Sequence, residues 1–234
     1  MKIERQRWSW YLSAVVYRRA YIRLAHQLDQ DLFAYLGERV QRARVADCGC
    51  GPGIVTEKFV KAGAALVLAI DQNPLMIHQT RRRLATPITA GRVRVMQRPF
   101  ESTLFPEINR RFLDHQGLDI ILFKRSLYLK REKALPVLQA AVATLRQGGV
   151  LAMIHGERSV RRYAFDARLR PTHYTLLHLI NRTLSKLGEK LGFGPYAVYT
   201  EAELLDLLQA AAPGYRVEHI PSQQSAYNLA AVLN

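Results

Sequence analysis

The sequence predicts an α/β protein: a doubly wound sheet, mostly parallel with an antiparallel last strand, and helices on both faces. Three observations lead there. Near-continuous apolar runs such as AALVLAID and LDIILF read as strands buried on both faces. Stretches with helical caps and stops separate these runs, so strand and helix alternate several times before residue 155. A glycine-rich turn, VADCGCGPG at residues 45–53, joins the first strand to the helix after it.

The elements follow in order. Residues 1–40 read as helix, with Trp8, Leu12, Val15 and Val16 at roughly helical spacing among arginines and Gly37 ending one helix. RVADCG is a short strand from Arg44, and Ile54 to Ala62 a helix with Gly63 just past its end. After AALVLAID, Asn73 and Pro74 supply an N-cap and first helical position for a helix to Leu84. RVRVMQ alternates as a strand and LDIILF is a buried one. Arg131 to Arg146 is helical, stopped by Gly148 and Gly149, and VLAMIH is a further strand. Residues 156–199 break the rhythm with arginines, histidines and aromatics around one helical stretch, Tyr174 to Gly188, and read as an insertion over the ligand edge. Thr200 and Glu203 form a capping box for a helix to about Ala211, and YRVEHI and AYNLAAVL close the chain as a pair of strands. The expected organisation is one domain: a helical cap (1–40), a core (44–155), a lid (156–199) and a closing helix with strands (200–234).

Composition narrows the function. Hydrophobic residues make up 49%, and no apolar run approaches the ~18 residues of a membrane span. The charged, aromatic start lacks the apolar core of a signal peptide, which points to the cytoplasm. Cys48 and Cys50 are the only cysteines. One residue apart, they are poorly placed for a disulfide, and without a second pair they make no zinc site, so no metal is expected. Lys and Arg number 34 against 19 Asp and Glu, a formal +15. Such a surface attracts phosphate, anionic lipid or an acidic protein.

The glycine turn reads D-x-G-x-G-x-G: Asp47, Gly49, Gly51 and Gly53, with the small Cys50 where side-chain volume is restricted. Glycine lets the backbone turn sharply and approach a ligand closely, and its N–H groups and the helix start suit an anionic group. The second strand ends in Asp71, about 20 residues on, where an acid accepts from two ribose hydroxyls. A nicotinamide dehydrogenase would share loop and acid but not this glycine spacing.

On these motifs, residues 44–155 resemble a class I S-adenosylmethionine-dependent methyltransferase of the small-molecule type, a Rossmann-like fold. VADCGCGPG is similar to the family's first motif, AIDQNPLMI to its second-strand motif, LRQGGVLAMI to its fifth strand, and YTEAELLDLLQAAAPGYRVE to its later helix and sixth strand. The resemblance implies S-adenosylmethionine as cofactor. It places Asp47, Gly49, Cys50 and Gly51 around the methionine part, and Asp71 on the ribose. Gln72 and Met76 would lie near ribose and adenine, and Lys124 near the methionine portion. Pro99 stands where the family often has an acid facing the adenine amino group, with Phe100 and Glu101 beside it. That departure motivates one alternative, a catalytically silent binding protein of the same fold.

Methyl transfer is an in-line displacement in which positioning dominates, and a base is needed only when the acceptor must lose a proton. His155, ending VLAMIH at the ligand edge, is the leading candidate base and Tyr128 the second; His173 and His178 rank lower. His26, His78, His115 and His219 read as surface or packing residues. The fourth strand is followed by FKRSLY, unlike the Asp/Asn-Pro-Pro-Tyr of enzymes that methylate exocyclic base amines. The aromatic, basic insertion suits a lid over an apolar or aromatic small-molecule acceptor. That acceptor would be free, held on an acidic carrier protein, or at an anionic membrane surface. RNA is the runner-up acceptor, motivated by the charge.

Overall fold

The structure, a computed structural model, describes residues 29–127, 129–156, 199–220 and 227–233. Trp8, Leu12, Val15, Val16 and His26 of the expected cap, Tyr128, and His173, His178 and nearly all of the expected lid therefore lie outside the described residues.

In chain order the elements are α1 (29–36), β1 (Arg44–Cys48), α2 (Ile54–Lys61), β2 (Leu66–Asp71), α3 (Pro74–Arg83), α4 (Ala85–Thr89), β3 (Val93–Gln97), α5 (Leu104–Phe112), β4 (Leu118–Lys124), α6 (Arg131–Val142), β5 (Leu145–Gly156), α7 (Glu201–Ala211), β6 (Arg216–His219) and β7 (Tyr227–Leu233). Among the described residues the strands form one sheet in the order β3-β2-β1-β4-β5-β7-β6. The first five are parallel, and β7 runs antiparallel between β5 and β6.

Strand alternation divides the core into two layers. Ala46, Cys48, Leu68, Ile70, Ile121 and Phe123 face α5, α6 and α7. Val45, Val67, Ala69, Ile120 and Leu122 face α1, α2 and α3. Because both faces are covered, β4 is buried along its whole length, which is why its sequence shows no polar alternation. Large apolar side chains anchor each layer: Phe105 and Phe123 in one, Phe59 and Leu36 in the other, each contributing about 1.5–3 kcal/mol by burial.

Local chemistry sets the helix ends. Asn73 accepts from the Leu75 N–H at 2.9 Å, with Pro74 in the first turn. Thr200 and Glu203 make both halves of the capping box. One expected boundary is corrected. The helix after β4 ends at Val142, not Arg146, and β5 already begins at Leu145, so Gly148 and Gly149 sit inside the strand. The edge of β4 captures the chain first: the Leu118 N–H donates to the Thr144 carbonyl at 2.9 Å. Leu118 then faces Leu145 while Ile120 faces Val150, so β5 bulges between them. Gly149 fits there because a Cβ would lie 2.8 Å from the Arg146 carbonyl oxygen. Two helices, α4 and α5, carry no signal singled out in the sequence reading.

The sheet is wound outward in two directions from β1 and β4. The strand order reverses between them, and that crevice at their C-terminal ends is where open α/β sheets bind ligands.

Candidate active site

The glycine turn leaves β1 at this crevice. Its first amides are engaged inward: the Gly49 and Cys50 N–H groups both donate to the Ile70 carbonyl, at 2.7 and 3.0 Å. The Gly51 N–H donates to the Asp71 carboxylate at 3.0 Å, and the Gly53 N–H to the Cys50 carbonyl. Of the N–H groups that the sequence reading suited to an anionic group, these four are engaged within the protein.

Gly49 has φ 78°, and a Cβ on it would lie 2.0 Å from the Ser126 Cβ, so the loop after β4 packs directly on the turn. Ser126 completes that contact by donating to the Cys48 carbonyl at 2.5 Å. At Gly51 the reverse holds: nothing lies within 4 Å of an added Cβ, so the backbone faces open space. Cys50 is buried with its sulfur 3.8 Å from the Thr80 hydroxyl, and burial pushes its thiol well up. Both cysteines are free, which suits small apolar packing rather than redox work.

Two carboxylates flank the turn. Asp47 is 1% exposed and accepts from Thr56 Oγ1 at 2.6 Å. Burial lifts its carboxyl to about 6, offset in part by the Thr56 bond and the Lys124 charge. Asp71 accepts from the Asn73 N–H at 2.8 Å as well as from Gly51. Burial raises it too, against the backbone donors of Asn73, Gly51 and Gln72. Asp71 therefore shapes the turn besides ending β2.

The stability consequence at Asp47 has a definite sign. Its folded pKa lies above the ordinary 3.8, so ionisation disfavours the folded state. That penalty is complete above about pH 6 and fades as pH falls toward 4. Asp47→Asn is expected to raise Tm at pH 8 by about 5 °C, with the gain vanishing near pH 4, in thermal melts at both pH values.

Lys124 ends β4 and is 7% exposed, in a buried ion pair with Asp29 of α1. Asp29 also accepts from Lys58 Nζ at 2.6 Å. Sequence reasoning missed Asp29, since an acid in a helical stretch, with Asp31 two residues on, carries no motif. On the other flank Gln72 and Pro99 are exposed and Met76 half-buried. Phe100 packs edge-on against Phe123 at 5.5 Å. The Arg98 N–H donates to the Asp71 carbonyl at 3.1 Å, tying the end of β3 to the tip of β2.

His155 lies farther along the same edge, near the end of β5, and is 1% exposed. Its ring packs on Tyr199 at 5.3 Å, and the Tyr199 hydroxyl donates to the Leu129 carbonyl at 2.6 Å. Tyr199 is a second residue that the sequence reading did not single out. His78, His115 and His219 are exposed, as expected of surface residues.

The residues present fit an adenosyl amino acid. Open backbone at Gly51, a carboxylate at the tip of β2, half-buried Met76 and Phe100, and a buried lysine offer partners for an amino-acid tail, a ribose and an apolar base. Among the described residues no cluster of three or more His, Cys, Asp or Glu is arranged to hold a metal ion. Nor is any described helix long and apolar enough to cross a membrane.

Comparison with known proteins agrees with this geometry. No curated protein matches the chain in sequence. Among solved structures the chain is similar to an O-methyltransferase family protein from Burkholderia thailandensis, at 16% identity and TM-score 0.61, covering 91% of this chain and 56% of that one. It is similar to the magnesium protoporphyrin IX methyltransferase of Synechocystis PCC 6803 with bound SAH, at 16% identity and TM-score 0.62, covering 95% and 94%. A third likeness is to the pyocyanin biosynthetic protein PhzM, at 16% identity and TM-score 0.58, covering 87% and 53%. The chain thus spans little more than half the length of the first and third, and at these identities the likeness is one of fold. A family model described as a methyltransferase domain matches residues 45–149, the segment that runs from β1 into β5 and carries the glycine turn, Asp71 and Lys124. Residues 45–149 thus match a methyltransferase domain, in agreement with the fold of these neighbours.

Proposed function

We propose that the protein transfers a methyl group from S-adenosylmethionine to an apolar or aromatic small-molecule acceptor. When bound, this cofactor supplies an electrophilic methyl group on a sulfonium. In this reading the Asp71 carboxylate accepts from the ribose hydroxyls. The backbone at Gly51 and the charge of Asp47 receive the ammonium end of the tail, and Lys124 its carboxylate. Met76 and Phe100 pack on the base, and Pro99 leaves its amino group to backbone acceptors.

The observation that carries the acceptor class is the buried His155 packed at a tilt against Tyr199 at the ligand edge. An imidazole in such a place can take a proton from a phenol or enol, its ordinary pKa lying near neutrality. Two structural neighbours are named for small molecules, magnesium protoporphyrin IX and pyocyanin. The excess of basic residues fits an acceptor offered by an acidic carrier protein or at an anionic membrane surface in the cytoplasm.

The test is transfer of labelled methyl groups to a panel of phenolic, enolic and carboxylic aromatic compounds. His155→Gln is expected to lower kcat about 100-fold on a hydroxyl acceptor while leaving cofactor affinity unchanged. An unchanged kcat on every hydroxyl acceptor would remove His155 from the chemistry. Exposed Arg81 and Arg82 at the end of α3, with the net charge, favour a second reading in which RNA is the acceptor. It requires RNA binding that weakens steeply with salt, and negligible binding at low salt ends it.

A further inference from the structure

We propose that Asp29 is a positioning residue of the cofactor site, holding Lys124 in place to receive the carboxylate of the cofactor's amino-acid tail. The inference rests on the cofactor reading above and deepens it. Asp29, at the start of the described part of α1, is only 2% exposed. Its two carboxylate oxygens are divided between two lysines: Oδ1 pairs with Lys124 on β4, and Oδ2 accepts from Lys58 on α2. One side chain thus joins α1 to α2, which follows the glycine turn, and to β4, which pairs with β1 beside it.

Removing one partner of a buried ion pair leaves the other charge uncompensated, and Asp29 is the anion paired with Lys124. An ammonium group has three N–H donors, so pairing with Asp29 does not exclude a second carboxylate on Lys124. The surrounding charges fit a zwitterionic tail. Asp47 on β1 lies in register with Leu122, two residues before Lys124 on the neighbouring β4, so a buried carboxylate and a buried lysine share one end of the crevice. An ammonium would be drawn to Asp47 and the loop, and a carboxylate to Lys124. By this account α1 is part of the floor of the site.

The experiment is a calorimetric titration of the full chain with two probes, S-adenosylhomocysteine and 5′-methylthioadenosine, which lacks the amino-acid tail. Asp29→Asn is expected to weaken S-adenosylhomocysteine binding roughly 10- to 100-fold while changing 5′-methylthioadenosine binding less than about twofold. Asp29→Glu, which keeps the charge, is expected to recover most of the loss. Lys58→Gln leaves the buried Asp29–Lys124 pair intact, so it keeps the test open should Asp29→Asn not fold. A tail-selective loss of about threefold is expected there. Equal weakening of both probes, or no change with either, overturns the proposal. Wild-type protein that binds neither probe defeats the cofactor reading itself, whereas wild-type binding with an unaffected Asp29→Asn defeats only the role of Asp29.

Discussion

Asp71→Ala is expected to raise the Kd for S-adenosylhomocysteine at least 100-fold, measured by calorimetry. Two effects combine. The variant loses a carboxylate at the tip of β2 that would take two ribose hydroxyls, each charge-assisted bond being worth about 1.5–3 kcal/mol. It also frees the Gly51 and Asn73 amides, which Asp71 now holds at 3.0 and 2.8 Å, so the glycine turn and the start of α3 loosen together. Circular dichroism should show the fold retained, because Asp71 lies at a strand end and not in either apolar layer. The pH dependence has a defined direction. Burial raises the Asp71 pKa, and ribose recognition uses the ionised form. Affinity should therefore fall with acidification at pH values above the ordinary carboxylate range. Unchanged affinity in Asp71→Ala would remove the residue from the cofactor site.

Gly49→Ala is expected to be the more damaging change to the fold. The new methyl group would stand 2.0 Å from the Ser126 Cβ, and φ 78° is unfavourable for any residue with a Cβ. The left-handed conformation costs about 1–2 kcal/mol and overpacking a further 1–3 kcal/mol. For a chain of this size that corresponds to a Tm loss of about 10 °C in a thermal melt. Gly51→Ala separates the two roles of the turn. It meets no neighbour within 4 Å, so it should cost only the backbone term, yet its methyl group would occupy the open side of the crevice. A stable Gly51→Ala protein with weakened cofactor binding, beside an unstable Gly49→Ala protein, is the expected pair of outcomes. Equal stability of the two would contradict the packing of the β4 loop on the turn.

Much of the frame was legible because its signals are local. A strand buried on both faces reads as a nearly continuous apolar run, as LDIILF does apart from Asp119, and a helix start needs a cap, as Asn73 with Pro74 and Thr200 with Glu203 provide. The β5 boundary was misread because helix propensity through Arg146 is also local, whereas the pairing of Leu145 with Leu118 is not. Asp71 could be recognised from its distance to the turn. That its carboxylate also fastens the Gly51 amide could not, because that bond spans 20 residues and depends on how β1 lies beside β2.

Asp29 and Tyr199 show the same limit more sharply. Each acts through a partner distant in the chain: Lys124 for the first, His155 and Leu129 for the second. By itself the sequence determined the alternation of strands and helices, the turn and its acid, and hence the match to a methyltransferase domain, because hydrophobic period, caps and glycine placement are written residue by residue. Only the tertiary structure decided which amides of the turn are engaged, which glycine faces open space, and which acid neutralises a buried lysine. Hydrogen bonds and ion pairs are made between atoms within a few ångströms, and that nearness is set by the packing of the sheet rather than by order along the chain.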